Sequence, residues 1–206
     1  MTAAQRERAE LSALLADVGP QAPTLCGGWQ TRDLLAHLVL RETRLDAAPG
    51  ILVPALSGYT DRVQAEVAAR DWPELLEQFR SGPPLLSPYR LLDAQVNAME
   101  FFVHHEDVRR AQQGWEPREL SKGAADGLWR RLRLISRVGY RSSPVGVVLQ
   151  RADGASMTAK RGAHRVILVG APGELVLHAF GRDAVRLQPA GAPAGVDAVL
   201  SLDRSF

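Results

Sequence analysis

The chain has one cysteine, Cys26, in 206 residues. An intrachain disulfide is therefore excluded, and a cytoplasmic location follows as the default. Long apolar runs are missing too, so nothing in the sequence is built to span a bilayer. The N-terminal stretch MTAAQRERAELSALLADV is charged and amphipathic and lacks the apolar core of a signal peptide. Net charge is also scarce. The 25 Lys and Arg against 23 Asp and Glu leave +2, too little to argue for nucleic acid or an anionic membrane as partner. Neither an internal repeat nor a low-complexity segment is present. What remains, with 46% hydrophobic and 23% charged residues, is the composition of an ordinary globular protein with room for one large domain or two small ones.

The first two thirds read as helices. Thr2 and Gln5 have capping-box spacing, Leu11, Leu14, Leu15 and Val18 form one apolar stripe, and Gly19-Pro20 ends that helix. Thr31 is read as the cap of a second helix, with Asp33 in its first turn, running through LLAHLVLRETRLDAA. A third helical region spans about 57–79 and is interrupted at Asp71-Trp72-Pro73, a fresh cap with proline just inside. The fourth helix covers about 88–113 with Leu92, Val96, Met99 and Val103 as its core stripe. A basic fifth helix follows over about 121–138. The last third changes character: VGVVLQRA, HRVILVGA, AVRLQ and GVDAVLSL read as strands, and Pro172-Gly173-Glu174 opens a short helix, LVLHAF. These patterns predict an α+β chain, with a helical bundle over 1–139 and a small α/β domain over 140–206, its sheet packed against a helix near Leu175–Phe180.

The fourth helix carries MEFFVHHEDVRRA. Glu100 and His104 are four residues apart and share a face, so they can hold one cation together. His105 is turned by about 100° from His104 and cannot easily join them. Asn97 and Asp107 lie one turn to either side and could orient a ligand. His37, in LLAHL, is the natural third ligand if the second and fourth helices face each other, with Asp33 able to accept its other ring N–H. Three protein ligands would leave a position open for water or substrate. Against this, a Glu–His pair at this spacing is usually a solvated helix face, and a histidine among leucines is usually a hydrogen-bonded core residue; the spacing alone leaves these readings open. Cys26 and Trp29 read as structural, and RRLRLISRVGYR as an exposed helix face.

The stretch CGGWQTRDLLAHLV, with the later EFFVHHEDVRRA, resembles the mycothiol-dependent maleylpyruvate isomerase family of DinB-like bundles. The matching positions are Trp29, Asp33, His37, Glu100, His104 and Asp107. The resemblance implies an up-down four-helix bundle followed by a small sterol-carrier-protein-like domain, here GELVLHAFGR and the strands around it. It is closest to a short actinobacterial branch of unassigned metal-binding proteins. It also implies that His37, Glu100 and His104 bind a divalent metal, with zinc expected. Mycothiol would be the thiol cosubstrate, its thiolate attacking a small electrophile, with isomerisation or S-transfer to follow. Arg182, in AFGRDA, is implied as a catalytic arginine of the C-terminal domain; a solvated residue at a helix end is its rival reading. The alternative to an enzyme is a non-enzymatic or regulatory module whose metal is structural.

Overall fold

The structure, a computed structural model, describes residues 1–44, 46, 57–83 and 88–204, with backbone alone at 57 and 88–96. The chain divides into two compact units, Met1–Trp115 and Glu116–Phe206. In the first unit the helices are α1 (Ala3–Val18), α2 (Thr31–Thr43), α3 (Ser57–Ala68), α4 (Trp72–Ser81) and α5 (Pro88–Arg110). In the second are α6 (Lys122–Gly139), β1 (Val147–Gln150), β2 (Ser156–Lys160), β3 (Val166–Val169), α7 (Pro172–Ala179), β4 (Gln188–Ala190) and α8 (Pro193–Leu200). No helix among the described residues is long and apolar enough to cross a membrane.

The helix ends follow local chemistry. Thr2 and Gln5 cap α1 reciprocally, each backbone N–H donating to the other's side chain at 2.8 and 3.2 Å. For α2 the expected cap shifts by one residue. Gln30 occupies the N-cap position, its N–H donating to Asp33 Oδ2 at 3.0 Å, while Thr31 is already helical and its hydroxyl donates to the Gly19 carbonyl. Asp33 is thus committed to the helix start and does not orient His37. The expected third helix is two, α3 and α4, with Asp71 as the cap between them.

α2 is buried throughout Leu34–Leu40, as a helix apolar on all sides should be. It packs against α3, α4 and α5, while α1 runs along α5. Leu11, Leu15, Leu38, Met99 and Val103 are buried as expected; the side chains of Leu92 and Val96 lie outside the described residues. A buried ion pair joins four helices. Arg8 of α1 reaches both carboxylate oxygens of Glu42 on α2, one at 2.8 Å, and donates to the Phe79 carbonyl of α4 at 2.8 Å. Its guanidinium lies 4.6 Å from the Phe101 ring of α5. Removing one partner from such a pair strands a buried charge at a cost of about 3–5 kcal/mol.

In the second unit the sheet order is β2-β1-β3-β4, with β1 and β3 parallel and the outer pairs antiparallel. Three expectations change here. The stretch 195–202, read as a strand, lies largely in helix α8. Its buried residues, Gly195 and Val199, are four apart, and Pro193 in the first turn presets the helix. AVRLQ is mostly irregular and contributes only Gln188 to β4, and SMTAK, not read as a strand, forms β2. The division at Trp115/Glu116 also assigns α6 to the second unit, where the composition shift suggested a boundary at 139/140. α6 packs on α7 and against β2, with Leu128, Leu132, Ser136 and Gly139 as its buried stripe. Gly139 makes this possible, because a Cβ there would come within 2.3 Å of the Ala179 carbonyl oxygen. α7, buried over Gly173–Ala179, therefore packs closely on α6.

Beneath this contact, Tyr140 Oη is hydrogen-bonded with His178 Nδ1 at 2.5 Å, and His178 Nε2 has no hydrogen-bond partner among the described residues. Burial, reinforced by the Arg204 charge, pushes the His178 imidazole down to about 3. The unfolded chain takes up this proton near pH 6.5 and the folded chain does not, so stability is full above about 6.5 and falls as pH drops toward 3. Between pH 7.5 and 5 this group alone should cost roughly 2 kcal/mol. Urea unfolding should show His178→Asn, which keeps an acceptor but cannot titrate, losing less stability over that range than wild type by about that amount; parallel losses in the two proteins would remove the assignment.

Candidate metal centre

The buried face of α5 carries Glu100, His104 and Asp107, at helical spacings of four and three. From Phe101 to Val108 the helix is buried without interruption, so the HHED run is not a solvated face. Opposite, α2 presents His37 and, one turn later, Arg41. The loop between α1 and α2 closes the group. Gly27 and Gly28, at φ +24° and +82°, turn the chain where a side chain would be strained, and the Leu25 N–H donates to the Asp107 carbonyl at 3.1 Å. Trp29 lays its ring 5.3 Å from the His37 ring, and Cys26 reaches Asp107.

Glu100 Oε1 is the centre of the arrangement. It lies 3.0 Å from His104 Nε2, 3.5 Å from His37 Nε2 and 2.7 Å from Arg41 Nη1. The two imidazole rings are 5.4 Å apart. The donor atoms of His37, Glu100 and His104 lie within 4.8 Å of one another, so the three residues read from the sequence do converge. On its other side, His104 Nδ1 lies 3.0 Å from Asp107 Oδ2, which also accepts from the Cys26 thiol at 3.0 Å. A carboxylate on Nδ1 fixes the ring and directs Nε2 toward Glu100. Asn97 does something else: its amide donates to Glu42 Oε1 at 3.4 Å. His105 points away, with Nδ1 3.0 Å from Glu7 Oε2 on α1.

Charge follows from these contacts. Burial alone would raise the Glu100 carboxyl, yet hydrogen bonds from His104 and His37 hold it well below the usual carboxylate range. Burial would lower His104, but hydrogen bonds to Asp107, Cys26 and Glu100 keep it well above the usual imidazole range. His37 is pushed down by burial, with its Glu100 hydrogen bond only partly opposing. The group is therefore an ionised carboxylate between a cationic and a neutral imidazole, and a cation bound at His104 Nε2 would have to displace a proton.

Two residues of the group went unrecognised in the sequence. Arg41 stands four residues after His37, a spacing that puts it on the same face. Cys26 was legible only as a loop thiol. Arg182 belongs to the second unit, just beyond α7, where Nη1 donates to the Phe180 carbonyl at 2.6 Å.

Arg41 occupies the carboxylate oxygen that a metal would need, and its fixed charge repels a cation there. Calorimetric titration with zinc should show Arg41→Met binding at least about tenfold more tightly than wild type, about 1.4 kcal/mol. Weaker binding in the variant would mean that Arg41 holds Glu100 in position for the ion.

Comparison with known proteins gives one match. Residues 2–88 fit the family described as mycothiol maleylpyruvate isomerase N-terminal domain, a span that includes Trp29, Asp33 and His37 and ends before Glu100 and His104. No curated protein and no solved structure gives a match. Over residues 2–88 the chain is thus similar to the mycothiol maleylpyruvate isomerase N-terminal domain.

Proposed function

We propose that His37, Glu100 and His104 hold a divalent ion, zinc by the donor set, and that the chain is a mycothiol-dependent enzyme. It would isomerise a small electrophile or transfer the thiol to it. The observation that carries this reading is the convergence of two imidazole nitrogens and one carboxylate oxygen, with a second carboxylate behind His104. Two nitrogens and an oxygen are a zinc donor set with a coordination position to spare. Among the described residues no fourth ligand joins from the Nε2 side; Cys26 approaches His104 at Nδ1, 3.7 Å away. An open position favours catalysis over a purely structural ion.

When bound, the ion would supply the charge that stabilises a thiolate, the nucleophilic form of a thiol. The chain's own residues do the rest. Asp107 orients His104, and Cys26, committed to Asp107, is held in place and is not the nucleophile. Trp29 covers the His37 ring and limits water there. Arg41 offers a fixed cation to an anionic group of the substrate. Arg182 is proposed as a further catalytic arginine, as the resemblance implies, and the second unit as a sterol-carrier-protein-like domain. A cytoplasmic setting, where low-molecular-weight thiols are reduced, belongs to the same proposal.

The test pairs activity with stability. Purified protein should turn over maleylpyruvate or one of a panel of α,β-unsaturated carbonyls only with mycothiol present. Glu100→Gln and His104→Ala should each lower that rate at least about a hundredfold, the scale expected when an ion is lost from a catalytic site. Chelator should abolish the rate but move Tm by only a few degrees, because the buried leucines and valines stabilise the bundle. A large chelator-induced fall in Tm without any thiol-dependent turnover would contradict the proposal and favour a structural ion.

A further inference from the structure

Charge is unevenly divided along the chain. Residues 116–206 hold 14 Lys and Arg against 8 Asp and Glu, a formal +6, whereas residues 1–115 hold 11 against 15, a formal −4. In the second unit the excess gathers where β2, the outermost strand, faces α6. A groove of about 500 Å³ runs there, lined by Arg133 and Arg137 of α6, by Ser156–Lys160 of β2, and by Arg161. Among the described residues no acidic and no aromatic side chain lines it.

The cations are available. Arg133, Arg137 and Arg161 are exposed and form no ion pair among the described residues, whereas Asp126, Asp153 and Asp183 are engaged by Arg151 and Arg204. The strand is available as well. β2 pairs with β1 on one side only, and no backbone hydrogen bond to its outer edge occurs among the described residues. Lys160, which could guard the edge, donates instead to the Arg141 carbonyl at 2.7 Å. Cations around an open edge keep sheets of the same protein apart, and they leave the edge free for a chain of opposite sign. Beside the groove on α6, Leu134 is 72% exposed and Val138 43%, an apolar strip next to the arginines.

We propose that the groove between α6 and the outer edge of β2 binds an extended acidic peptide segment of a partner protein. The segment adds to the sheet as a further strand beside β2. Its backbone takes the unpaired N–H and C=O groups of the edge, and its alternate carboxylates meet Arg133, Arg137 and Arg161. A single-stranded nucleic acid fits less well, since its bases would find no aromatic ring to stack on.

Fluorescence anisotropy on the full chain tests this with a labelled octapeptide of alternating glutamate and valine. The expected result is saturable binding that weakens with salt, at least about tenfold loss in Arg133→Glu/Arg137→Glu, and no binding of the matching lysine–valine peptide. The same acidic peptide with alternate backbone nitrogens methylated should bind wild type at least about tenfold more weakly, because it cannot form the ladder; this arm needs no variant. Methylation without effect, an octathymidylate that binds more tightly than the peptide, or no binding of the acidic peptide at millimolar concentration would each overturn the proposal.

Discussion

One carboxylate oxygen organises the functional end of the helical unit. Glu100 Oε1 stands at hydrogen-bond range from His104 on its own helix and from His37 and Arg41 on the facing one. A partly buried carboxylate so placed stays ionised only because those groups surround it, and they in turn are held where they are by it. Both helices contribute to one apolar core, through Leu34 and Leu38 of α2 and Phe101 of α5, and the contacts of Glu100 add a polar link between them at the point where the group would take a cation.

The remaining charges beneath the surface have separate duties. Arg8 and Glu42 tie α1, α2, α4 and α5 together among aromatic rings. Glu106 is matched by Arg109 and Arg110, with Arg110 over the Trp115 ring. Because the Arg8–Glu42 and Glu106–Arg110 pairs lie outside the His37–Glu100–His104 group, the group can exchange a proton or an ion without breaking them. That separation is what a catalytic site requires of its scaffold, and a structural metal site would not need it.

Much of this was legible in the sequence, for identifiable reasons. Glu100 and His104 share a face by helical geometry alone, and His37 sits inside an unbroken apolar stretch, so burial beside another helix was its natural outcome. Arg41 has the same spacing from His37 that Glu100 has from His104, but an arginine at that distance reads as surface until its partner is in view. Cys26 could be placed only once the turn at Gly27-Gly28 had brought its loop onto α5. In the second unit the stretch 195–202 was misread because a short run of valine and leucine satisfies strand and buried helix equally, and SMTAK was missed because it carries no such run. At α8 the deciding signal was Pro193. At α6 it was Gly139, whose missing side chain admits the Ala179 carbonyl and joins a helix to the unit that follows it.

On the proposed reading, three residues hold one ion and leave a place on it for a thiol from outside the chain. Cobalt(II) tests it most directly, through the absorption spectrum of the loaded protein before and after a low-molecular-weight thiol is added. The expected result is one cobalt per chain and a near-ultraviolet thiolate-to-cobalt band that arises only on addition of the thiol, equally in wild type and in Cys26→Ser. A band already present before the thiol is added and lost in Cys26→Ser would make Cys26 the ligand, and with no stoichiometric binding of cobalt the claim would not stand.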